Sequence, residues 1–186
     1  MTRKSMLLVV LLNVCFFAAC DGAKKTAAEA AVNAADSSFQ SIAAEAQKYV
    51  PEQAKGVQDS LQQAKTALSN GDYSAALDVA KGLPEKISSL GDALKAKKDE
   101  LTAKWNDLQS TMPGLVSAVQ SKFDVLKKKH ALPAGADSSL TGLKQAWGEA
   151  SSSFQSGDLS SAMEKASAAK EKLADIQKML GIKASS

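Results

Sequence analysis

The chain has 186 residues, with 23 basic and 20 acidic side chains, 45% hydrophobic residues, one histidine and two cysteines. A single histidine leaves His-based metal sites and Ser-His-Asp triads without their parts, and two cysteines allow one disulfide at most. The net charge of +3 is too small to point to nucleic acid, and Arg3 is the only arginine available for reading bases.

The first segment has Arg3 and Lys4, an apolar run from Met6 to Phe17, and then Ala18-Ala19-Cys20-Asp21. A basic start, an apolar stretch too short to span a bilayer and small residues before a cysteine predict a secretion signal over residues 1–19. The ending resembles the lipobox of bacterial lipoproteins, with Phe17 where that motif usually carries leucine. The resemblance implies diacylation of the Cys20 sulfur, cleavage between Ala19 and Cys20, and acylation of the new N-terminus. Asp21 resembles the signal that retains enterobacterial lipoproteins in the inner membrane, which puts that membrane ahead of the outer one. The expected location is thus the bacterial cell envelope, lipid-anchored and facing the periplasm. Residues 20–26 comprise the lipidated cysteine and a short tether, whose six residues from Asp21 to Thr26 reach roughly 20 Å at full extension and hold Lys24 and Lys25 near the headgroups.

Cleavage changes the composition. Removing 19 residues leaves 167 (186 − 19), with no arginine and with 21 lysines (23 − 2) against 20 acids. Cys15 leaves with the signal and Cys20 is lipidated, so the exported domain stands on its core without a disulfide.

Beyond the tether every element reads as helix. Ala28, Ala31, Ala35, Phe39, Ile42, Ala46 and Tyr49 step by threes and fours, which predicts an amphipathic helix ending before Pro51. Pro51 opens a second helix through Leu61 and Leu68, with Gly71 as its stop and Asp72 as the next cap. The third helix carries Tyr73, Leu77, Ala80, Leu83, Ile87, Leu90, Leu94, Leu101, Trp105, Leu108 and Met112 on one stripe, interrupted only by Lys97. The stripe keeps phase across Gly82 and Pro84, so one bent rod is expected there. A fourth helix opens at Pro113 with Leu115, Val119, Phe123 and Leu126 inward, and closes at Lys127-Lys128-Lys129-His130. Asp137 is read as the cap of a fifth helix, with Leu140, Leu143, Trp147, Ala150 and Phe154 inward, stopping at Gly157. Asp158 caps a sixth, with Leu159, Met163, Ala166, Ala169, Leu173, Ile176 and Leu180 on one face. Residues 181–186 form a frayed tail.

A shift of 86 residues lays Gly71-Asp72-Tyr73-Ser74-Ala75-Ala76 over Gly157-Asp158-Leu159-Ser160-Ser161-Ala162, and Glu85-Lys86 over Glu171-Lys172. The inward positions of the third helix then fall on those of the sixth. Upstream, Lys48-Tyr49-Val50-Pro51 resembles Lys129 to Pro133, with a small difference in loop length. The expected fold is all-α: an elongated bundle of about six helices within one domain, residues 27–180, built from similar three-helix halves at about 27–112 and 113–180.

The Gly-Asp-Tyr-x-x-Ala turn, with Ala64 before Ala76 and Ala150 before Ala162, resembles tetratricopeptide hairpins. The copy spacing of 86 and the scarcity of that repeat's aromatic positions depart from the family and argue against an array with a peptide groove. As a whole the chain resembles Ala- and Lys-rich helical lipoproteins of bacteria.

Catalytic chemistry finds few supports: no thiol survives for nucleophilic attack, and no phosphate loop, zinc-protease or EF-hand spacing occurs. His130 reads as a solvated helix cap. No enzyme activity, cofactor or metal is expected. Lys127, Lys128 and Lys129 are candidates for contact with a partner or an anionic surface, with a solvated face as the plainer reading. Trp105 and Trp147 are core residues by default and partner hot spots in the sharper reading. The function expected is a membrane-anchored, non-catalytic protein-interaction module that docks an envelope protein. The alternatives are a self-associating spacer and a helical carrier of a small ligand.

Overall fold

The computed structural model describes the backbone of residues 3–182 and the side chains of residues 22–182. It is an all-α bundle with six helices among the described residues: α1 Arg3–Gln40, α2 Ala43–Tyr49, α3 Pro51–Ser69, α4 Tyr73–Lys128, α5 Ala136–Gln155 and α6 Leu159–Met179. Two compact units divide the chain, Met1–Ala96 and Lys97–Ser186. The boundary between them falls within the residues of α4. The described part of α1 takes in residues 22–26, which are helical and exposed rather than an extended tether.

Three local expectations are corrected. Pro113 starts no new helix, because α4 runs without a break through both Pro84 and Pro113. Each proline forfeits one backbone hydrogen bond, yet the apolar stripe stays in phase, and Met112, Val119 and Phe123 beyond or beside Pro113 are all buried. The helix expected from Ala28 to Tyr49 is interrupted at Ser41–Ile42. There the Ser41 hydroxyl donates to the Ser38 carbonyl at 2.7 Å and the Ile42 amide turns back to the Phe39 carbonyl at 3.0 Å. Hydroxyls that bond the local backbone compete with the helical ladder in this way. Asp137 is not the cap of α5: Gly135 holds that position, at φ 82°, and Asp137 lies in the first turn.

In the first unit α1 and α2 pack on α3, with Ala28, Val32, Ala35, Phe39, Ala46, Val57, Leu61, Leu83 and Leu90 buried. Lys65 of α3 ties to Asp36 of α1 at 2.8 Å. In the second unit Val119, Phe123, Leu140, Leu143, Leu173 and Ile176 form one core cluster. The first unit runs α1, α2, a turn at Val50–Pro51, α3, the Gly71–Asp72 turn and the start of α4, and the second runs the end of α4, a loop containing Pro133, α5, the Gly157–Asp158 turn and α6. For the first helix of each unit the best register is 84 rather than 86, which places buried Ala28, Ala35 and Phe39 on buried Met112, Val119 and Phe123. The seven residues between Lys128 and Ala136 form a longer loop than the single Val50 between α2 and α3, and this absorbs the difference.

Candidate interaction site

The hairpin turns that join α3 to α4 and α5 to α6 share the same capping and closing bonds. Asp72 Oδ1 accepts from the Ala75 amide at 3.0 Å, and Asp158 Oδ1 accepts from the Ser161 amide at 2.9 Å. The Asp72 amide donates to the Ala67 carbonyl and the Asp158 amide to the Ser153 carbonyl, both at 2.9 Å. These bonds close a helix end around Gly71 and Gly157, whose φ values of 77° and 82° suit a residue without a side chain. Just beyond the turns Ala64 meets the level of Ala76, and Ala150 that of Ala162; all four are fully buried. Methyl-sized contacts there let the two helices approach closely.

Above this closely packed end the hairpin of the first unit opens into a cleft of about 550 Å3. Its floor is Val57 of α3 and Leu90 of α4, which are 3% and 2% exposed. Gly56 and Gly82 form the gap itself, and Gln53, Glu85, Lys86 and Ser89 line the rim. A methyl group on Gly56 or on Gly82 would meet no atom within 4 Å, so packing inside the chain does not require either glycine. Lys86 is drawn aside, its ammonium donating to the Ser60 hydroxyl at 2.8 Å.

The corresponding cleft of the second unit is smaller, about 280 Å3, and is lined by Gly142, Ala168 and Lys172 among others. At the 86-residue shift these are Gly56, Gly82 and Lys86. Here Lys172 lies across the gap, with its ammonium 3.7 Å from where a Cβ on Gly142 would stand. One feature thus occurs twice in the chain, open in the first unit and covered by lysine in the second. It is absent from the residues singled out by the sequence, although Glu85-Lys86 on Glu171-Lys172 in the repeat was a signal for it.

Trp105 and Trp147 come together. The Trp105 indole, 2% exposed, stacks against Trp147 at 5.3 Å and against Phe154 at 4.8 Å between ring centroids. Trp147 is half-buried, and Ala150, Ala162 and Ala166 pack around the group. These rings are core, so the default reading of the pair holds for Trp105. Its indole N–H is buried and finds no acceptor among the described residues. Phe154 completes the stack.

Lys127, Lys128 and Lys129 are exposed at the end of α4. Lys127 lies 3.8 Å from Asp137 and 5.7 Å from the Phe123 ring centre. His130 follows at φ 52° and is exposed, taking the left-handed position where glycine is usual. Upstream on α4, Glu100 accepts from both Lys104 and Lys97, and these two ammonium groups, Lys104 first, hold its carboxyl down to about 2. The side chains of Ala19, Cys20 and Asp21, the anchor residues, lie outside the described residues. Among the described residues no group of His, Cys, Asp and Glu is placed to hold a metal ion. No helix among them is long and apolar enough to cross a membrane.

The chain matches no protein-family model, no curated protein and no solved structure.

Proposed function

We propose that this chain is a lipid-anchored protein of the bacterial cell envelope that works as a non-catalytic docking module, with the α3–α4 cleft of the first unit as its receptor site. The observation that carries the docking part is the pair Gly56 and Gly82. Each sits inside a helix, where glycine costs about 0.5–1 kcal/mol relative to alanine, and neither is required by a contact within the chain. Paired across one apolar-floored cleft, they leave room for the close approach of a side chain from outside. The location rests on Arg3, Lys4, the apolar run and Ala19-Cys20-Asp21, where the lipobox resemblance implies an anchor at Cys20. Asp21 favours the inner membrane.

A photo-activated cross-linker placed at Gln53, on the rim of the cleft, tests the docking reading in intact cells. One envelope protein should be captured, and capture should be lost both with Gly56→Leu, which fills the cleft, and with Cys20→Ala, which removes the anchor. Capture that survives Gly56→Leu would remove the cleft from the account.

A second reading, a carrier of a small apolar ligand, is favoured by the cleft volume of about 550 Å3, which falls in the range of small-molecule sites. Mass spectrometry of extracts from the purified protein distinguishes it: a stoichiometric bound compound lost with Gly56→Leu would support the carrier.

A further inference from the structure

Val125 is 47% exposed, and it is the large hydrophobic side chain left exposed among the described residues. It lies on the last turns of α4. At 100° per residue, Lys122, Lys128 and Lys129 fall within about 60° of it around the helix axis, and all three are exposed. None of the three forms an ion pair among the described residues, whereas Lys55, Lys65, Lys81, Lys97 and Lys104 each do. The nearest acids are Asp124, one turn before Lys128 on the same side of the helix, which accepts from Gln120 Nε2 at 2.9 Å, and Asp137, which faces Lys127 at 3.8 Å. The result is one apolar side chain ringed by three exposed lysines, with Asp124 the one acid beside them on α4, next to a helix end that favours positive charge.

We propose that this face, Val125 with Lys122, Lys128 and Lys129, seats on the anionic surface of a lipid bilayer. The proposal deepens the envelope location given above and rests on it. Charge complementarity selects the occupant: phosphate headgroups are a dense, mobile array of negative charge that flexible lysines can meet without a fixed geometry, and the lysine stems and Val125 reach the acyl boundary. A protein partner fits less well, since protein interfaces are enriched in arginine and aromatic rings and depleted in lysine. The face carries neither an arginine nor an aromatic ring. The attraction is worth about a fivefold gain in affinity for each lysine near an anionic surface. An anchored chain needs no more, because the anchor already holds it at high local concentration.

The test uses the protein carrying its native N-terminus, reconstituted in vesicles of phosphatidylcholine alone or with phosphatidylglycerol. Lysine acetylation rates are read residue by residue by mass spectrometry, and flotation reports attachment separately. The expected result is protection of Lys122, Lys128 and Lys129 by fivefold or more in the anionic vesicles at low salt. Protection should disappear in 0.5 M salt and in the neutral vesicles, while Lys81 keeps one rate throughout. Equal rates in both vesicles would overturn the proposal while flotation leaves the anchor standing. Protection found only in native membranes and not in pure lipid would overturn it in favour of an acidic protein. If the protein fails to float in neutral vesicles, the anchor reading fails instead, and protection on adding anionic vesicles still decides the face.

Discussion

Replacing Pro84 by alanine should stabilise the protein, which is the reverse of the usual effect of a substitution in a folded chain. Pro84 lies well inside α4, eleven residues after Tyr73 opens the helix. Its ring nitrogen has no hydrogen to give to the Ala80 carbonyl, and a proline in a helix interior is about 3 kcal/mol less favourable than alanine. Two terms offset part of that gain. Alanine frees the unfolded chain by about 0.4–1 kcal/mol, and the ring of Pro84 contributes to the wall of a groove with Ala31, Ala35, Ala80 and Ile87. Pro84 is exposed, so the second term is small, and the net gain is about 2 kcal/mol. For a chain of this length that corresponds to a rise in Tm of about 4–8 °C. Pro113, also exposed and also inside α4, provides an independent repeat of the experiment. Urea unfolding followed by the helical circular-dichroism signal on each variant and on the double variant checks the size and the additivity, which is expected at this separation. A midpoint that stays put or falls in Pro84→Ala would refute the reasoning, and would mean that the helix is broken at that point in solution.

Gly56→Ala should raise stability by about 0.5–1 kcal/mol, because the added methyl meets nothing, while weakening capture of a partner at Gln53; calorimetry and cross-linking on the same sample separate the two effects. Trp105→Ala should cost about 3–5 kcal/mol, since the ring is sandwiched between Trp147 and Phe154. Trp105→Phe should cost much less, because it keeps one stacked ring and removes a buried donor that has no acceptor; equal losses in chemical unfolding would contradict this. Glu100, held at about 2 by Lys104 and Lys97, should stay ionised until strongly acidic pH in a carbon NMR titration. Its folded value is depressed, so whatever stability it adds is present above the ordinary glutamate range and is lost as pH falls from there towards 2. Solvent exposure and screening keep that contribution small.

Much of the fold can be read in the sequence because helix-period stripes and turn residues are local signals. The Gly71-Asp72 and Gly157-Asp158 turns, both side-chain caps and the burial of Leu83, Leu90, Leu143 and Ile176 all follow from spacing. The misreadings came where local rules compete with tertiary ones. Pro113 is a strong start signal taken alone, but Met112, Val119 and Phe123 are buried on one stripe, and their burial outweighs one lost hydrogen bond. At Ser41–Ile42 the reverse happened: the apolar period continues, yet serine hydroxyls took the backbone and ended α1. Gly135 took the cap from Asp137 because a left-handed turn suits glycine better than a carboxylate-bearing residue. The cleft was missed for a different reason. Gly56 and Gly82 lie on separate helices, and only the packing of α3 on α4 shows that they share one gap. The Trp105 stack was half legible: the stripe gave both tryptophans an inward position, but not the fact that they touch.

The anchor at Cys20 is the claim on which location, partner access and the proposed membrane-facing lysines all depend. Intact mass and N-terminal peptide mass spectrometry of the mature protein from native cells test it directly. The account predicts an N-terminus at Cys20 carrying a thioether-linked diacylglyceryl group and an amide-linked acyl chain, with the protein in the membrane fraction. A mature N-terminus elsewhere, or an unmodified Cys20, would contradict it.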